Sequence, residues 1–496
     1  MNRSGRRVPV AGAATAANGA RGGRVTVVAA AAASLLAIVS LGACSSNSKP
    51  AAQAGGSTSA STTNSGSATA AGSASAPASA AASSGAPAYK CADTATKLTM
   101  WGWAAGYNLA VDAFNRSHPD ICVTLQNNGA ANDEYTKIGN TLKAGNGAPD
   151  IAEIEYFALP SFEITKSLVD LTKYGANDHK ADIAPVAWAQ VSQGSAVYAM
   201  PVDLGPLVQY YNSNLLSKYS IDVPKTWDEF AAAAQKLHAA DPKAAIANFD
   251  PTNAQAVLAM MQQDNAFPFK YTGGSNLTID FTGTAQLAFA NYWQKLLAAK
   301  EATTAADFSP EQWTDFDTGV DAVRFSPAWG PVGMQLSMKA SIGDWRAAPM
   351  PQATAGQMLS GNWGGSTIAV FAQSKHPKEA AEFAEWFGGS ADSWKILSGP
   401  VAGAFPAYLP LLNDATFQAT TLPISGDSQP NKVFAQAAQN MIAPQWPPIM
   451  TAALTQWTDT FGGVTKGTET LPDAFKSYQA ALVKYAKAQG FTVATS

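Results

Sequence analysis

The chain has 496 residues, a formal charge of −4, three cysteines, four histidines and 13 tryptophans. An acidic balance of this kind argues against nucleic acid as a partner, because phosphate binding needs clustered Lys and Arg. The histidines (His118, His179, His238, His376) are scattered, and no Cys has the neighbours of a zinc site, so no metal or other cofactor is expected.

The first 43 residues carry Arg3, Arg6, Arg7, Arg21 and Arg24 and no acidic residue. An apolar stretch over 25–39 and a few small residues follow, the order of a secretory signal. The stretch falls short of the roughly 20 residues a membrane span needs. Residues 41–44 (LGAC) resemble a bacterial lipobox, which implies that Cys44 is diacylated and holds the protein at the extracellular face of the cytoplasmic membrane. An ordinary cleaved signal with an incidental cysteine is the alternative. Without residues 1–43 the charge becomes about −9. If Cys44 is lipidated, Cys91 and Cys122 remain as one pair in an oxidising compartment and are expected to form a disulfide. Two free buried thiols are the alternative. Residues 44–88 are almost entirely Ala, Ser, Gly and Thr and cannot bury enough surface to fold. As a tether they would reach roughly 35 to 40 Å.

The body, from Tyr89 onward, is about 400 residues and holds all the tryptophans. Two domains are the default at that size. Residues 97–101 read as a strand, and 108–117 as a helix with Leu109, Ala110, Ala113 and Phe114 on one face. Pro119 stops that helix. A strand over 121–125, a helix over 135–144, a Gly145–Gly147 turn and a strand over 150–154 follow. This β-α-β-α-β opening favours an α/β fold with a parallel sheet and ligands at the carboxyl ends of its strands. Thr226 and Glu229 have capping-box spacing before a helix carrying Phe230, Ala233 and Leu237. Pro377 opens another helix. A last helix follows Pro472, with Phe475, Tyr478, Leu482 and Tyr485 at helical spacing.

In this order, several short stretches resemble one family: the extracellular solute-binding proteins of ABC importers, in particular the sugar-binding, maltose-binding-protein-like group. The first half carries residues 98–103 (LTMWGW), 114–120 (FNRSHPD), 147–151 (GAPDI), 168–171 (LVDL), 198–201 (YAMP), 211–212 (YN) and 224–229 (PKTWDE). The second half carries 349–351 (PMP), 361–366 (GNWGGS), 376–381 (HPKEAA) and 444–447 (PQWP). The resemblance implies a periplasmic-binding-protein-like fold, two α/β lobes joined by crossing hinge strands with a ligand cleft between them. By position, crossings are expected near 203–207, 361–366 and 440–449. Lobe one would comprise 89–203 and 366–440, and lobe two 204–365 and 441–496. Pro201, Gly205, Pro206, Gly361, Gly364 and Gly365 punctuate the crossings, as they would any turn.

A sugar presents apolar C–H faces and a rim of hydroxyls, so its site should pair flat aromatics with a few carboxylates or amides. Trp103, just beyond the first strand, faces either the cleft or the lobe core, and Trp101 is expected in the core. Glu153 and Glu155 alternate with Ile154 and share a face. Glu155, at the strand exit, is the better cleft candidate, with Tyr156 beside it. At the first crossing the resemblance implies a ligand-binding acid at Asp203, for which a hinge-capping carboxylate is the alternative. It implies a polar contact from lobe two at Asp250, where Asp-Pro is also an ordinary turn starter, and a stacking aromatic at Trp329. Trp363, between glycines, is a second stacking candidate. Phe405 and Trp446 are weaker ones. Trp227, Trp293, Trp386 and Trp394 lie in helical patterns and are expected in the core. Where malto-oligosaccharide binders carry a Trp and a charged pair, this chain has Ile154, Phe157 and Ala158. Maltose itself is therefore in doubt.

The reading is a monomeric, lipid-anchored binding protein that closes over a carbohydrate and delivers it to the transmembrane permease subunits of an ABC importer, with no bond chemistry. One alternative is a secreted glycoside hydrolase using two carboxylates from Glu153, Glu155, Asp203 and Asp250. The body carries no G-x-S-x-G, no H-E-x-x-H and no Walker A pattern. Another keeps the fold and presents the sugar to a membrane sensor.

Overall fold

The computed structural model describes residues 89–271 and 273–495; the arginine-rich start, Cys44 and the Ala/Ser/Gly stretch lie outside the described residues. Cys91 and Cys122 are disulfide-bonded, as expected. The described strands run in chain order: β1 (Thr96–Trp101), β2 (Ile121–Gln126), β3 (Ile151–Glu155), β4 (Ser192–Gln193), β5 (Ala196–Val197), β6 (Ala199–Pro201) and β7 (Leu207–Asn212). They continue as β8 (Ala245–Asn248), β9 (Phe269–Tyr271), β10 (Asn276–Ile279), β11 (Ala302–Thr303), β12 (Asp321–Pro327), β13 (Trp345–Pro349), β14 (Ser366–Val370) and β15 (Thr492–Ala494).

Two five-stranded sheets form the cores of two lobes. The first has the order β2-β1-β3-β14-β6, with β1 parallel to β2 and β3 and β14 antiparallel to β3. The helix Tyr107–Ser117 crosses from β1 to β2 and buries Ala110, Val111 and Phe114. The helix Asn132–Ala144 crosses from β2 to β3 and begins at Asn132, ahead of the expected Tyr135. The helix Pro377–Gly389 packs on β14 and β6 through Ala380, Ala381, Phe383, Ala384 and Phe387. Each buried Phe there contributes about 1.5–3 kcal/mol. Trp101 is not in this core: it is half-buried, with its indole N–H 3.1 Å from Gln126 Oε1.

The second sheet has the order β11-β8-β12-β7-β13. Its core is aromatic, with Trp293 stacked on Phe249 at 4.4 Å and Phe230 and Phe325 against it. The helix Trp227–Ala240 opens with the expected capping box between Thr226 and Glu229, worth about 1 kcal/mol. The helices Met450–Thr465 and Leu471–Ala488 pack on each other, and the latter also packs on the helix Thr284–Ala298.

One boundary differs from expectation. The helix Pro430–Gln439 lies on β7 and β13, with Phe434 at 5.9 Å from Tyr210, so it belongs with the second sheet and not with lobe one. Its buried face (Phe434, Ala435, Ala437, Ala438) is the physical reason. The third crossing accordingly lies near 404–408 rather than 440–449.

The hinge is a main-chain ribbon. Segment 202–207 forms its centre: Val202 N–H donates to Ser366 O (3.0 Å), Trp363 N–H to Gly205 O (2.8 Å) and Leu207 N–H to Gly361 O (3.1 Å). On the other side Leu204 N–H donates to Phe405 O and Ala407 N–H to Val202 O, both at 2.9 Å. Gly205 has no room for a side chain, since a Cβ would meet the Trp363 carbonyl. The expectation for the lobe-one staple is quantitative. The disulfide closes a sequence separation of 31 residues, so Cys122→Ser should lower unfolding free energy by about 3–4 kcal/mol. Denaturant titration checks this, and reductant should weaken the wild type while leaving the variant unchanged.

Candidate functional site

The carboxyl end of β3 supplies the first wall. Side chains alternate across the strand, so Glu153 and Glu155 share a face, as expected. Their roles differ. Glu153 is fully buried; its Oε2 accepts from the backbone N–H groups of Trp103 (2.8 Å) and Ala104 (3.0 Å), and its Oε1 from Ser366 Oγ (2.8 Å). It fastens the loop after β1 to the hinge end of β14. Trp103 is half-buried on that loop, with its ring edge-on to Tyr135 at 5.8 Å. The Tyr135 hydroxyl accepts from Glu155 N–H (2.8 Å) and donates to Glu155 Oε2 (3.2 Å). Glu155 Oε1 accepts at 3.4 Å from Gln255 Nε2, on a helix of the opposite lobe.

The second wall is aromatic. Trp329 N–H donates to the Trp363 carbonyl at 3.0 Å, and the two rings meet at 5.8 Å and 74°. Phe308 completes a group of three, 6.3 Å from Trp329 and 5.9 Å from Trp363. Gly364, at φ 73°, joins the walls: a Cβ there would lie 3.5 Å from both Glu155 Oε1 and Trp329 Nε1. The acid of one lobe and the indole of the other therefore flank the space beside the Gly364 Cα. Beneath Trp363, a cavity of about 20 Å³ lined by Asp250, Asp307, Phe249 and Met260 has room for about one water.

The other expected residues are placed as follows. Asp203 holds the hinge: its Oδ1 accepts from Ser366 N–H at 2.6 Å, and its carbonyl accepts from Tyr156 O–H at 3.2 Å. Tyr156 is buried against Gly365, whose φ of 98° brings the backbone close to its ring. Asp250 takes Thr252 N–H (2.8 Å) and Oγ1 (2.6 Å) on one oxygen and Asp307 N–H (2.9 Å) on the other. Phe405 is buried on the hinge against Phe417 (6.0 Å) and Phe434 (5.6 Å), where the crossing runs. Trp446 forms a second contact between lobes, with its N–H 3.1 Å from Gln190 Oε1 and its ring edge-on to Phe157 and Phe267. Sequence reasoning missed Tyr135, Gln255 and Phe308. Tyr135 reads as an ordinary helix-core residue, Gln255 carries no motif, and Phe308 precedes a plain helix start at Ser309.

No lysine or arginine balances the first-wall acids through an ion pair among the described residues. Burial, then the charges of Glu153 and Asp203, push Glu155 up to about 8, against the hydrogen bonds from Tyr135 and Gln255. Burial raises Glu153 to about 7 despite its backbone donors, and Asp203 to about 6. These acids hold protons more tightly in the folded protein than in the unfolded chain. Their contribution to stability is full below the ordinary carboxylate range and is lost as pH rises through about 6 to 8. The melting temperature of the ligand-free protein should therefore fall between pH 5 and pH 8, and Glu155→Gln should flatten the upper part of that fall. A melting series in matched ionic strength reads both.

Residues 103–392 match the family described as bacterial extracellular solute-binding protein. The arabinooligosaccharide-binding protein of Bacillus subtilis (strain 168) is 25% identical over 318 residues, which span 61% of this chain and 72% of that protein. Among solved structures, the ABC transporter associated binding protein from B. animalis subsp. lactis Bl-04, in complex with beta-1,6-galactobiose, is 30% identical. Its TM-score is 0.71, covering 80% of this chain and 99% of that one. The galacto-N-biose-/lacto-N-biose I-binding protein from Bifidobacterium longum, in complex with lacto-N-biose, is 27% identical with a TM-score of 0.70, covering 81% of this chain and 100% of that one. The two-lobed α/β architecture agrees with these matches: the chain belongs to the bacterial extracellular solute-binding protein family.

Proposed function

We propose that this protein is the sugar-capturing component of an ABC importer. It closes its two lobes over an oligosaccharide and presents the closed form to a membrane permease. The observation that carries this reading is the meeting of Glu155 and Trp329 across Gly364. A carboxylate can accept from two neighbouring hydroxyls while an indole covers the C–H face of the same ring. Closure is then a population shift, because only the closed form offers both walls at once. The relatives named for arabinooligosaccharide, beta-1,6-galactobiose and lacto-N-biose support the same class of solute.

Catalysis is disfavoured by the commitments of the acids. Glu153, Asp203 and Asp250 each accept from backbone N–H groups, so of these four acids Glu155 alone is not tied to backbone donors, and the pair that acid–base work needs is not found among them. The protein acts as a monomer and is held at the outer face of the membrane by acyl chains on Cys44. Among the described residues no helix is long and apolar enough to cross a membrane.

Thermal melting against arabino-oligosaccharides, beta-1,6-galactobiose, lacto-N-biose and their monosaccharides tests the reading. A saturable rise in melting temperature for one related set, with the sugar recovered intact, is expected. A flat response throughout, or a released product, would count against it. With a binding sugar in hand, Trp329→Ala should weaken affinity by about 1–2 kcal/mol, roughly 5- to 30-fold, in calorimetric titration.

A further inference from the structure

Phe308 is the one aromatic residue among the six non-glycine positions with positive φ in the described chain, at 65°. A bulky side chain avoids that region unless its surroundings over-determine it, and such positions cluster where strain serves a site. The surroundings here are specific. Asp250 Oδ2 holds Asp307 N–H at 2.9 Å, and Gln312 Oε1 holds Phe308 N–H at 2.8 Å. The Asp307 carboxylate in turn accepts from Asn253 Nδ2 at 2.6 Å and from Gln312 Nε2. Arg324 is buried below, with its guanidinium 5.4 Å from the Phe308 ring and 4.8 Å from Trp313. These bonds turn the corner at 307–308 and set the half-buried Phe308 ring between the buried cation and the two cleft tryptophans.

We propose that Phe308 is a specificity-determining ligand contact, whose exposed ring edge extends the aromatic wall of Trp329 and Trp363 against the C–H surface of the bound sugar, and that Asp250 is a positioning residue that holds it through Asp307. The inference rests on the cleft being a sugar site. It also gives Asp250 a role its hydrogen bonds permit, since both of its oxygens are occupied within lobe two. The strain then has a use: a relaxed backbone at 308 would swing the ring away from Trp329 and Trp363.

The test is calorimetric titration of whichever of beta-1,6-galactobiose, lacto-N-biose and an arabino-oligosaccharide the wild type binds, using Phe308→Tyr, Phe308→Leu, Phe308→Gly and Asp250→Asn. Melting temperature is measured in parallel. Phe308→Tyr should bind within about twofold of wild type, whereas Phe308→Leu and Phe308→Gly should each lose roughly tenfold in affinity. Phe308→Leu keeps an apolar side chain of most of the volume without the flat ring, so its loss in affinity should exceed what its change in melting temperature accounts for. Asp250→Asn should weaken binding in the same direction, and much less when combined with Phe308→Gly, because the ring it positions is then gone. Wild-type affinity in Phe308→Leu and Phe308→Gly would overturn the inference while leaving the sugar site standing. A wild type that binds none of the three sugars would overturn the sugar reading and this inference with it.

Discussion

The cleft depends on the main-chain bonding of segment 202–207 to 361–366 on one side and 404–407 on the other. Two lobes with separate cores have no reason to keep a fixed relation unless the chain between them is itself structured. Here three crossings are bonded edge to edge, an arrangement that would confine any rotation to a short ribbon between two rigid bodies. The site is built on that ribbon. Asp203 ties it to Ser366, Trp363 hangs from Gly205, and Gly364 and Gly365 place the backbone against Glu155, Trp329 and Tyr156. A sugar in this cleft would therefore touch the elements that set the angle between the lobes.

Four acids near the hinge and cleft have similar sequence credentials and different fates, and hydrogen-bond donors decide which. Glu153, Asp203 and Asp250 each lie within reach of backbone N–H groups that would otherwise be unsatisfied, and they serve the architecture. Glu155 has only a hydroxyl and a long amide contact, so it keeps capacity to accept from a solute. Its raised pKa and its candidacy as a ligand contact share one cause, a buried carboxylate with few donors.

The alternating β-α-β opening, the capping box at Thr226 and the pairing of Cys91 with Cys122 were legible in the sequence, because each rests on local periodicity or on elimination. Trp329, Trp363 and Glu155 are singled out as ligand contacts from the order of motifs, and Gly364 lies beside Glu155 and Trp329. The placement of residues 430–439 was not legible, since an amphipathic helix carries no record of which of two apolar sheets it covers. Nor was the setting of Phe405, whose partner Phe434 comes from that stretch and whose partner Phe417 lies just before it. Tyr135, Gln255 and Phe308 lie apart in sequence from the residues they meet. Phe308 owes its position to a backbone angle that nothing in its side-chain pattern announces.

The distribution of chemistry between the walls also bears on selectivity. The acids of lobe one lie in a poorly hydrated space, and their raised proton affinity reflects that burial. Lobe two offers mainly aromatic surface with few free polar atoms, the Trp329 N–H being already bonded to Trp363. A solute with only hydrogen-bond donors would satisfy Glu155 but leave the indoles facing a polar group. A solute with only apolar surface would cover the indoles and leave the carboxylate buried without a partner. A ligand that favours closure must do both on adjacent faces, with a spacing set by the width of Gly364. A pyranose or furanose ring meets that condition, with hydroxyls on its rim and C–H groups on its faces.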